Sequence, residues 1–495
     1  MLILENSLPN ETKKTAAETI IELAQSAPEI EFFHSEKGVA FASFEAAQAR
    51  QTERIRGSKF KTYLIEWYFE MTGKPAATDS INQAISVLEM LALRKGDQRK
   101  LDLCVSKYEG SFYYDLAEPQ GRAVQISPSE VLLIDKPPSL FYRTAGMSAQ
   151  VKPDFDGKLS LFLNHIRLAF KSDYLLFLVY IVSCFIPGIP HPILVLSGEK
   201  GAAKSTTARM IRSIVDPSAV SAMTMPSGIR DLALNLSNNY MPCYDNIDFI
   251  SAEKSDMLCT ASTGGGFSSR KLFTDTEEAI VSFERCVTLN GIDTVARRPD
   301  LIDRSILLEL VRIPEEERKE ESQLWAVFER DKPLILGGAL KVLAEAMSLY
   351  PNIKLSKLHR MADFTRWGYA IAEAAQIQGG GERFLTAYQA NIERANAVAI
   401  ESHPVAAAIV ALMKQQSANN NTSTWKGTIA GLLDVLEHTA FTERVNTRNK
   451  LWPRGAHILT RRMNEVKSNL EKMNIYFDIR HAGYAKEITI EWRSN

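Results

Sequence analysis

The chain has 495 residues, enough for about three domains. Its composition, 45% hydrophobic and 24% charged, is that of a folded globular protein and excludes an acidic or basic disordered polymer. A net charge of −1 excludes a global basic field, so any nucleic-acid surface must be local.

The five cysteines, at 104, 184, 243, 259 and 286, are widely spaced and form no C-x-x-C pair. That argues against zinc ligation and against a disulfide framework, and fits the reducing cytoplasm. The first residues, Met-Leu-Ile-Leu-Glu-Asn, lack the basic and apolar regions of a signal peptide. The most apolar stretch, Tyr174 to Ile186, follows Asp173 as an expected N-cap and stops at Pro187-Gly188. It is too short to span a bilayer and reads as a buried core helix, so no membrane partner is expected.

In chain order, Thr15–Ser26 is helical by pattern, His34–Phe44 alternates like a hairpin, and Phe60–Met71 and Ser80–Leu93 are amphipathic helices. Residues 101–145 turn β-rich, with strands expected at Leu101–Ser106, Ser111–Asp115, Ala123–Ile126 and Val131–Ile134. Residues 1–155 thus form an N-terminal α+β accessory domain without a catalytic motif. Residues 156–400 form the core, with helices at Leu159–Phe170 and 174–186. Strands are expected at 193–196, Ala219–Met225, Met241–Tyr244, Cys286–Leu289 and Ser305–Ile313. Strands alternating with helices imply an α/β fold with a parallel sheet flanked by helices. Residues 322–400 are helical. Residues 401–424 are a helix and a linker, the linker being the polar low-complexity run Gln415 to Thr424. Beyond it, helices Lys426–His438 and Ala456–Met473 precede strands Ile475–Arg480 and Ile488–Trp492, the outline of a winged helix over 425–495.

The chemistry concentrates at Ile-Leu-Val-Leu-Ser-Gly-Glu-Lys-Gly-Ala-Ala-Lys-Ser-Thr, residues 193–206. A short apolar strand, a Gly-containing loop (Gly198, Glu199, Lys200, Gly201, Ala202, Ala203), then Lys204, Ser205 and Thr206 opening a helix, is the context of a phosphate-binding loop. Loop N–H groups, the helix N-terminus and the Lys204 ammonium favour a polyphosphate such as ATP, and the Ser205 hydroxyl is placed to ligate Mg²⁺. Ala203 replaces the second glycine of the pattern, adding one methyl near the phosphates. Forty-one residues after Lys204, an apolar strand ends at Asp245, the expected second Mg²⁺ contact. The next residue is Asn246, which is neutral and cannot act as a base. Asp248 and Glu253 are the alternatives for that role, or Asn246 orients the water. Val287-Thr288-Leu289-Asn290 is a strand ending in a polar side chain that can hold the γ-phosphate or the lytic water. Arg304, just before the next strand, is the first choice for an arginine finger, with Arg297 and Arg298 behind it. A helix-end Arg304 paired with Asp303 or Asp300 is the plainer alternative. Gly264–Gly266 leads to Arg270 and Lys271, which can bind a phosphodiester, and to Phe267 and Phe273, which can stack on a base. The acidic 274–278 tip argues for a solvated hairpin instead.

These motifs together resemble AAA+ ATPases of the superfamily-three helicase type, and more closely the primase-associated ATP-binding proteins of phages, plasmids and integrative elements. The resemblance runs from about residue 55 to the end. It is carried by residues 198–206, Tyr244-Asp245-Asn246-Ile247, 259–266, 270–275, Leu289-Asn290-Gly291-Ile292, 299–304 and Arg360-Met361-Ala362-Asp363-Phe364. The segment 141–147 is also typical of the family but suggests no chemistry. The resemblance implies a ring, a homo-hexamer, driven by ATP and Mg²⁺ along single-stranded or forked DNA, with a primase as partner. Lys204, Asp245, Asn246, Asn290 and Arg304 would be catalytic, Arg304 acting on the next subunit, and Arg360 would be a second sensor of the nucleotide.

The last 55 residues hold 11 Lys+Arg against 6 Asp+Glu, a local basic excess. Arg454, Arg461, Arg462 and Lys467 lie on or near one helix, and Arg480, His481 and Lys486 on the wing, where they can reach phosphates. A helicase or translocase for a mobile element leads this reading. A ring-shaped initiator or helicase loader, and an ATP-switched DNA-binding protein with little turnover, are the alternatives; Asn246 favours the last.

Overall fold

The computed structural model describes residues 14–46, 49–270, 278–291, 298–420, 423–482 and 485–493, and only the backbone of 267–270, 278–282, 419–420, 481–482 and 485. The chain divides into two compact units, Met1–Ile126 with Leu132–Gln150, and Ser127–Val131 with Val151–Asn495.

The first unit opens on helix Ala16–Ser26, whose start is fixed by a capping box between Thr15 and Glu18. Strands Glu31–Ser35, Ala40–Ala46 and Ala49–Arg54 form an antiparallel meander, with the short strand Gln98–Arg99 parallel on its edge. Helices Ser58–Thr72 and Thr78–Arg94 bury Phe60, Leu64, Ile81 and Leu88 against it. A second four-stranded sheet follows in sequence order from Val105–Tyr108 to Glu130–Ile134. Helices and antiparallel strands thus both occur in this part of the chain. The 141–147 segment braces this unit. The Arg143 guanidinium donates to both carboxylate oxygens of buried Asp115 at 2.8 and 2.6 Å, and to the Glu118 carbonyl at 2.8 Å. Burial pushes the Asp115 carboxyl up, and Arg143 opposes that shift.

At the centre of the second unit, Ile193–Leu196 is fully buried, as four consecutive apolar residues require of an inner strand. Strand Ile193–Ser197 is flanked by Thr288–Asn290 and Ser305–Glu309, and Cys243–Tyr244 lies beyond Thr288–Asn290; every pairing is parallel. The fold is thus mixed α/β with a parallel sheet. The strand expected at Ala219–Met225 shrinks to a single parallel bridge, Met223 to Tyr244. Helix Lys171–Ser183 is buried on nearly every side, the core helix anticipated, but it starts after Phe170. Asp173 lies inside its first turn rather than capping it. There Asp173 takes an ion pair from Arg394 at 2.5 Å, since a buried carboxylate must be paired. The helix expected over Leu159–Phe170 is a 3₁₀ stretch, Leu159–His165.

Helix Glu321–Leu349 passes Gly337 and Gly338 against residues 154–159. A Cβ on Gly337 would lie 1.8 Å from the Asp154 carbonyl oxygen. Gly337→Ala should therefore cost at least about 1–3 kcal/mol through forced backbone shifts, read as a lower Tm. An unchanged Tm would mean the helix is not seated this closely. Among the described residues, Glu321–Asn352 is long and apolar enough to cross a membrane, yet 56% of its most apolar window is buried inside the protein. By the same test of length and composition, Gly380–Ser402 with Pro404–Ala418 qualifies as a pair bent by 102°.

Two differences mark the C-terminal part. Helix Pro404–Asn420 runs through most of the expected linker. Its buried face is set upstream by Val405, Ile409 and Met413, which share one apolar core with Leu432, Leu436, Leu459, Leu470, Ile488 and Ile490. The polar run from Gln415 is the solvent end of that helix. Strand Thr424–Thr428 replaces the start of the helix expected at Lys426. It pairs antiparallel with Ala485–Trp492, which pairs with Ile475–Ala482. The helix begins at Ile429, where the Thr428 hydroxyl accepts the Gly431 N–H at 3.1 Å. The expected helix Ala456–Met473 breaks at Val466 into Ala456–Glu465 and Lys467–Lys472.

Candidate functional site

The parallel strands Ile193–Ser197, Cys243–Tyr244 and Thr288–Asn290 end at one edge of the sheet, and their carboxyl ends deliver the candidate residues there. After Ser197 the backbone turns sharply. Gly198 has φ +137° and a Cβ on it would lie 2.5 Å from the Leu310 carbonyl oxygen; Gly201 has φ +89°. Both glycines are required by backbone geometry. Ala203 also sits in the left-handed region, at φ 57°. The preference for glycine there is thus conformational, and alanine costs about 1–2 kcal/mol in the loop. Glu199 and Lys200 are exposed at the loop, Ala202 is buried and Thr206 half-buried.

Helix Lys204–Val215 follows directly. The Lys204 ammonium donates to the Gly198 and Glu199 carbonyls at 2.6 and 3.0 Å, folded onto its own loop. Burial lowers its pKa, and Asp245 works against the shift. A polar cluster lies beside it. The Ser205 hydroxyl donates to Asp245 Oδ1 at 3.0 Å. The Asn290 amide donates to the same Oδ1 and to Ser205 Oγ, the latter at 3.2 Å. The Asn246 backbone N–H also reaches Oδ1, at 2.8 Å. Asn290 is 2% exposed, and its Oδ1 has no hydrogen-bond partner among the described residues. Asn246 has φ 53°. Asn tolerates that region better than a longer acid would, which gives a backbone reason for its presence after Asp245. Asp248 and Glu253 are exposed.

A hydroxyl and a carboxylate oxygen side by side suit a hard cation such as Mg²⁺, which usually completes its shell with phosphate oxygens and water. Among the described residues no group of three or more His, Cys, Asp or Glu could hold a metal, and a phosphate-bridged Mg²⁺ needs none. Two neighbours carry no signal in the sequence. Arg209 pairs with Glu321 at 2.7 Å and lies 5.7 Å from the Trp325 ring, bracing the helix that starts at Lys204. Arg318 faces Gly201 from the segment after strand Ser305–Glu309. Neither belongs to a local motif; only the fold brings them here.

Of the four arginines expected to act at a distance, the three among the described residues are engaged within the chain. Arg304 donates to the Asp300 carboxylate at 2.5 Å and to its carbonyl at 2.9 Å. Arg360 reaches Asp300 at 2.9 Å and Asp303 at 3.1 Å, and Lys472 also pairs with Asp303. Burial raises the Asp300 pKa, but the two arginines outweigh it and the net shift is downward. Arg298 holds the Ala252 carbonyl at 2.7 Å and Asp256 at 2.6 Å; Arg297 lies outside the described residues.

Gly266–Arg270 pairs antiparallel with Glu278–Ser282, placing Arg270 opposite Glu278; the acidic tip at 274–277 lies outside the described residues. Lys271 and Phe273 lie outside the described residues, as do the side chains of Arg270 and Phe267. Gly264 ends helix Ala252–Thr263 in the left-handed conformation, and a Cβ on Gly265 would lie 2.4 Å from Thr260 Cγ2. Helix termination therefore explains two of the three glycines. In the C-terminal part, Arg461 and Arg462 lie 3.8 and 2.7 Å from Glu465, and the Arg462 side chain is 17% exposed. Lys467 is 4.0 Å from Glu471, and Arg480 is 2.6 Å from Asp478. Arg454 and Lys486 are exposed; the His481 side chain lies outside the described residues.

Residues 160–397 match the family model described as an actinomycete integrative conjugative element replication protein. Residues 405–495 match the model of the RepA C-terminal domain of the same elements. The boundary between the two matches coincides with the break between helices Gly380–Ser402 and Pro404–Asn420. No curated protein matches the chain by sequence. Among solved structures, an active helicase, Cch of SCCmec type IV, is similar at 12% identity and TM-score 0.46, over 94% of this chain and 93% of that one. The NrS-1 C-terminal region is similar at 11% identity and TM-score 0.41, over 97% of this chain and 100% of that one. TM-scores below 0.5 leave these likenesses without bearing on what this chain does.

Proposed function

The chain belongs to the replication-protein family of actinomycete integrative conjugative elements, and we propose that it serves there as an ATP-driven motor on single-stranded or forked DNA. The observation that carries this reading is the meeting of Ser205, Asp245 and Asn290 beside the Lys204 loop. The Ser205 hydroxyl, in the first turn of the helix after strand Ile193–Ser197, and the Asn290 amide, at the end of strand Thr288–Asn290, converge on Oδ1 of Asp245, which follows strand Cys243–Tyr244. A hydroxyl, a carboxylate and an amide at the end of a glycine loop are what a nucleotide–Mg²⁺ complex needs. In this reading the loop N–H groups and Lys204 hold the phosphates, Ser205 and Asp245 hold Mg²⁺, and Asn290 senses the γ-phosphate. The sheet order 305–193–288–243, extended by the bridge at Met223, supports an AAA+ core of the superfamily-three type. The order strand, three helices and an antiparallel strand pair after residue 423 supports a winged helix. A homo-hexameric ring, a primase partner and a cytoplasmic site of action complete the proposal.

The test is Mg²⁺-dependent ATP hydrolysis with and without single-stranded DNA. Hydrolysis stimulated by DNA is expected, and a protein that neither binds nor hydrolyses ATP overturns the proposal. Asn290→Ala should retain ATP binding while turnover falls about 10²-fold, the usual effect of removing one oriented amide donor. Equal loss of binding and turnover would make Asn290 a structural brace. A second reading is favoured by Asn246: with a neutral residue after Asp245, ATP could act as a switch for DNA binding with little turnover. ATP-dependent DNA affinity without measurable hydrolysis would select it.

A further inference from the structure

We infer that the loop joining helices Ile429–Thr442 and Ala456–Glu465 is a single-strand nucleic-acid grip, with Phe441 as its base-stacking platform and Arg444, Arg448, Lys450 and Arg454 as its phosphate contacts. This deepens the functional reading above by naming where the strand is held.

Charge availability is the first argument. Many cations of this part of the chain are spent: Arg461 and Arg462 on Glu465, Lys467 near Glu471, Lys472 on Asp303, Arg480 on Asp478 and Arg493 on Glu491, whereas Arg454 and Lys486 are exposed. A paired arginine must lose its carboxylate before it gains a phosphate, so its net contribution is small. The four loop cations are exposed, and among the described residues none has an ion-pair or hydrogen-bond partner for its side chain. The acids nearest in sequence are Glu437, one turn before Phe441, and Glu443, which accepts a hydrogen bond from Gln415 at 3.0 Å. Lys450 also lines a cavity with Asp300, Asp303 and Glu465, acids already paired with Arg304, Arg360, Lys472 and Arg462, so the loop keeps a net positive charge.

Order is the second argument. A loop that must be immobilised on binding loses affinity to entropy; this one is held beforehand. Asn446 accepts the Arg448 N–H at 3.0 Å, and Asn449 accepts the Leu451 N–H at 2.9 Å, giving two successive Asx turns. The Val445 N–H returns to the Ala440 carbonyl at 2.8 Å, and Trp452 packs on the apolar core of this part. The backbone is fixed while the cationic side chains point to solvent.

Phe441 is the third argument and decides the kind of nucleic acid. It is 86% exposed, at the end of a helix whose other large apolar residues are buried (Ile429, Leu432, Leu436) or half-buried (Leu433, Val435). A 530 Å³ depression runs beside it, lined by Glu437, Ala440, Arg444, Val445, Thr447 and Trp452. A free aromatic face beside cations suits an unstacked base followed by its phosphates. Bases within a duplex are already stacked, so Phe441 has nothing to offer them.

The experiment measures binding of full-length protein to labelled single-stranded and duplex oligonucleotides across a salt series, with ATP hydrolysis followed in parallel. Phe441→Ala should weaken single-strand binding about 5- to 150-fold, leave the salt slope unchanged and leave duplex binding alone. The quadruple change Arg444→Ala/Arg448→Ala/Lys450→Ala/Arg454→Ala should flatten the slope for single strands by about 3. Arg461→Ala/Arg480→Ala should change neither by comparable amounts. All these side chains are at the surface, so thermal melts should coincide. Unchanged affinity and slope in the loop variants overturn the inference, as does an equal loss on duplex with Phe441→Ala, or a wild type without single-strand affinity. Absent ATP turnover overturns the motor instead and leaves the binding comparison intact.

Discussion

Lys204→Ala should abolish ATP hydrolysis, by about 10²- to 10³-fold or more, while the protein melts as before. The size follows from what the ammonium does. It lies at the mouth of the loop, and its hydrogen bonds are to the loop's own Gly198 and Glu199 carbonyls. Those contacts hold the charge in the cradle without building the core, so alanine removes little folding energy. With nucleotide present the ammonium would leave the carbonyls for the β- and γ-phosphates, where charge accumulates in the transition state. The pH dependence has a definite sign. Burial lowers the Lys204 pKa, so its charge is lost as pH rises through a value below the ordinary lysine range. Polyphosphate binding should weaken over that alkaline window and recover on returning to neutral pH. Bound phosphate opposes the loss by raising the Lys204 pKa, so saturating ATP should shift the limb upward. The measurements are steady-state hydrolysis, nucleotide binding against pH, and a thermal melt. Normal turnover by a folded Lys204→Ala protein would remove the site from this loop.

The residues at the glycine-loop edge of the sheet were legible because their signals are local. Four apolar residues, a glycine turn and Lys-Ser announce strand, loop and helix within 14 positions, and the apolar runs before Asp245 and Asn290 mark two more strand ends. Parallel pairing then brings Ser205, Asp245 and Asn290 together from separations of 40, 45 and 85 residues, which local pattern alone does not show. The same limit hid Asp300 as the shared partner of Arg304 and Arg360, since Arg360 comes from 60 residues away. The left-handed Ala203 was hidden differently: alanine carries no signal of positive φ. The run at Gln415 misled because polarity marks exposure, and an exposed helix end satisfies it as well as a linker does. Pairing of Arg461 and Arg462 with Glu465 was readable from i,i+4 and i,i+3 spacing, and it lowers the weight of a simple count of basic residues.

Arg304→Ala is expected to retain ATP binding and lose about 10³- to 10⁵-fold in turnover if its guanidinium serves the neighbouring subunit's nucleotide. In this chain Arg304 is anchored on Asp300 two ways, and Asp300 is shared with Arg360. A residue that only braces helix Pro299–Ile302 would look the same, so loss of activity alone does not separate a finger from a brace. Subunit mixing does. Lys204→Ala subunits cannot hydrolyse at their own loop but keep Arg304; Arg304→Ala subunits keep the loop but offer no guanidinium. In a mixed ring, some interfaces join an intact loop to an intact arginine, and turnover should return there. A brace acts within its own chain, so mixing would restore nothing. Asp300→Asn sharpens the distinction by weakening the hold on both arginines. As a finger, Arg304 freed from Asp300 should keep turnover within about tenfold of wild type, the loss coming only from less exact positioning. As a brace, it should lose activity together with thermal stability. Recovery in mixed rings with an unchanged melt would assign Arg304 to the neighbour; no recovery in rings verified as mixed would return it to its own helix.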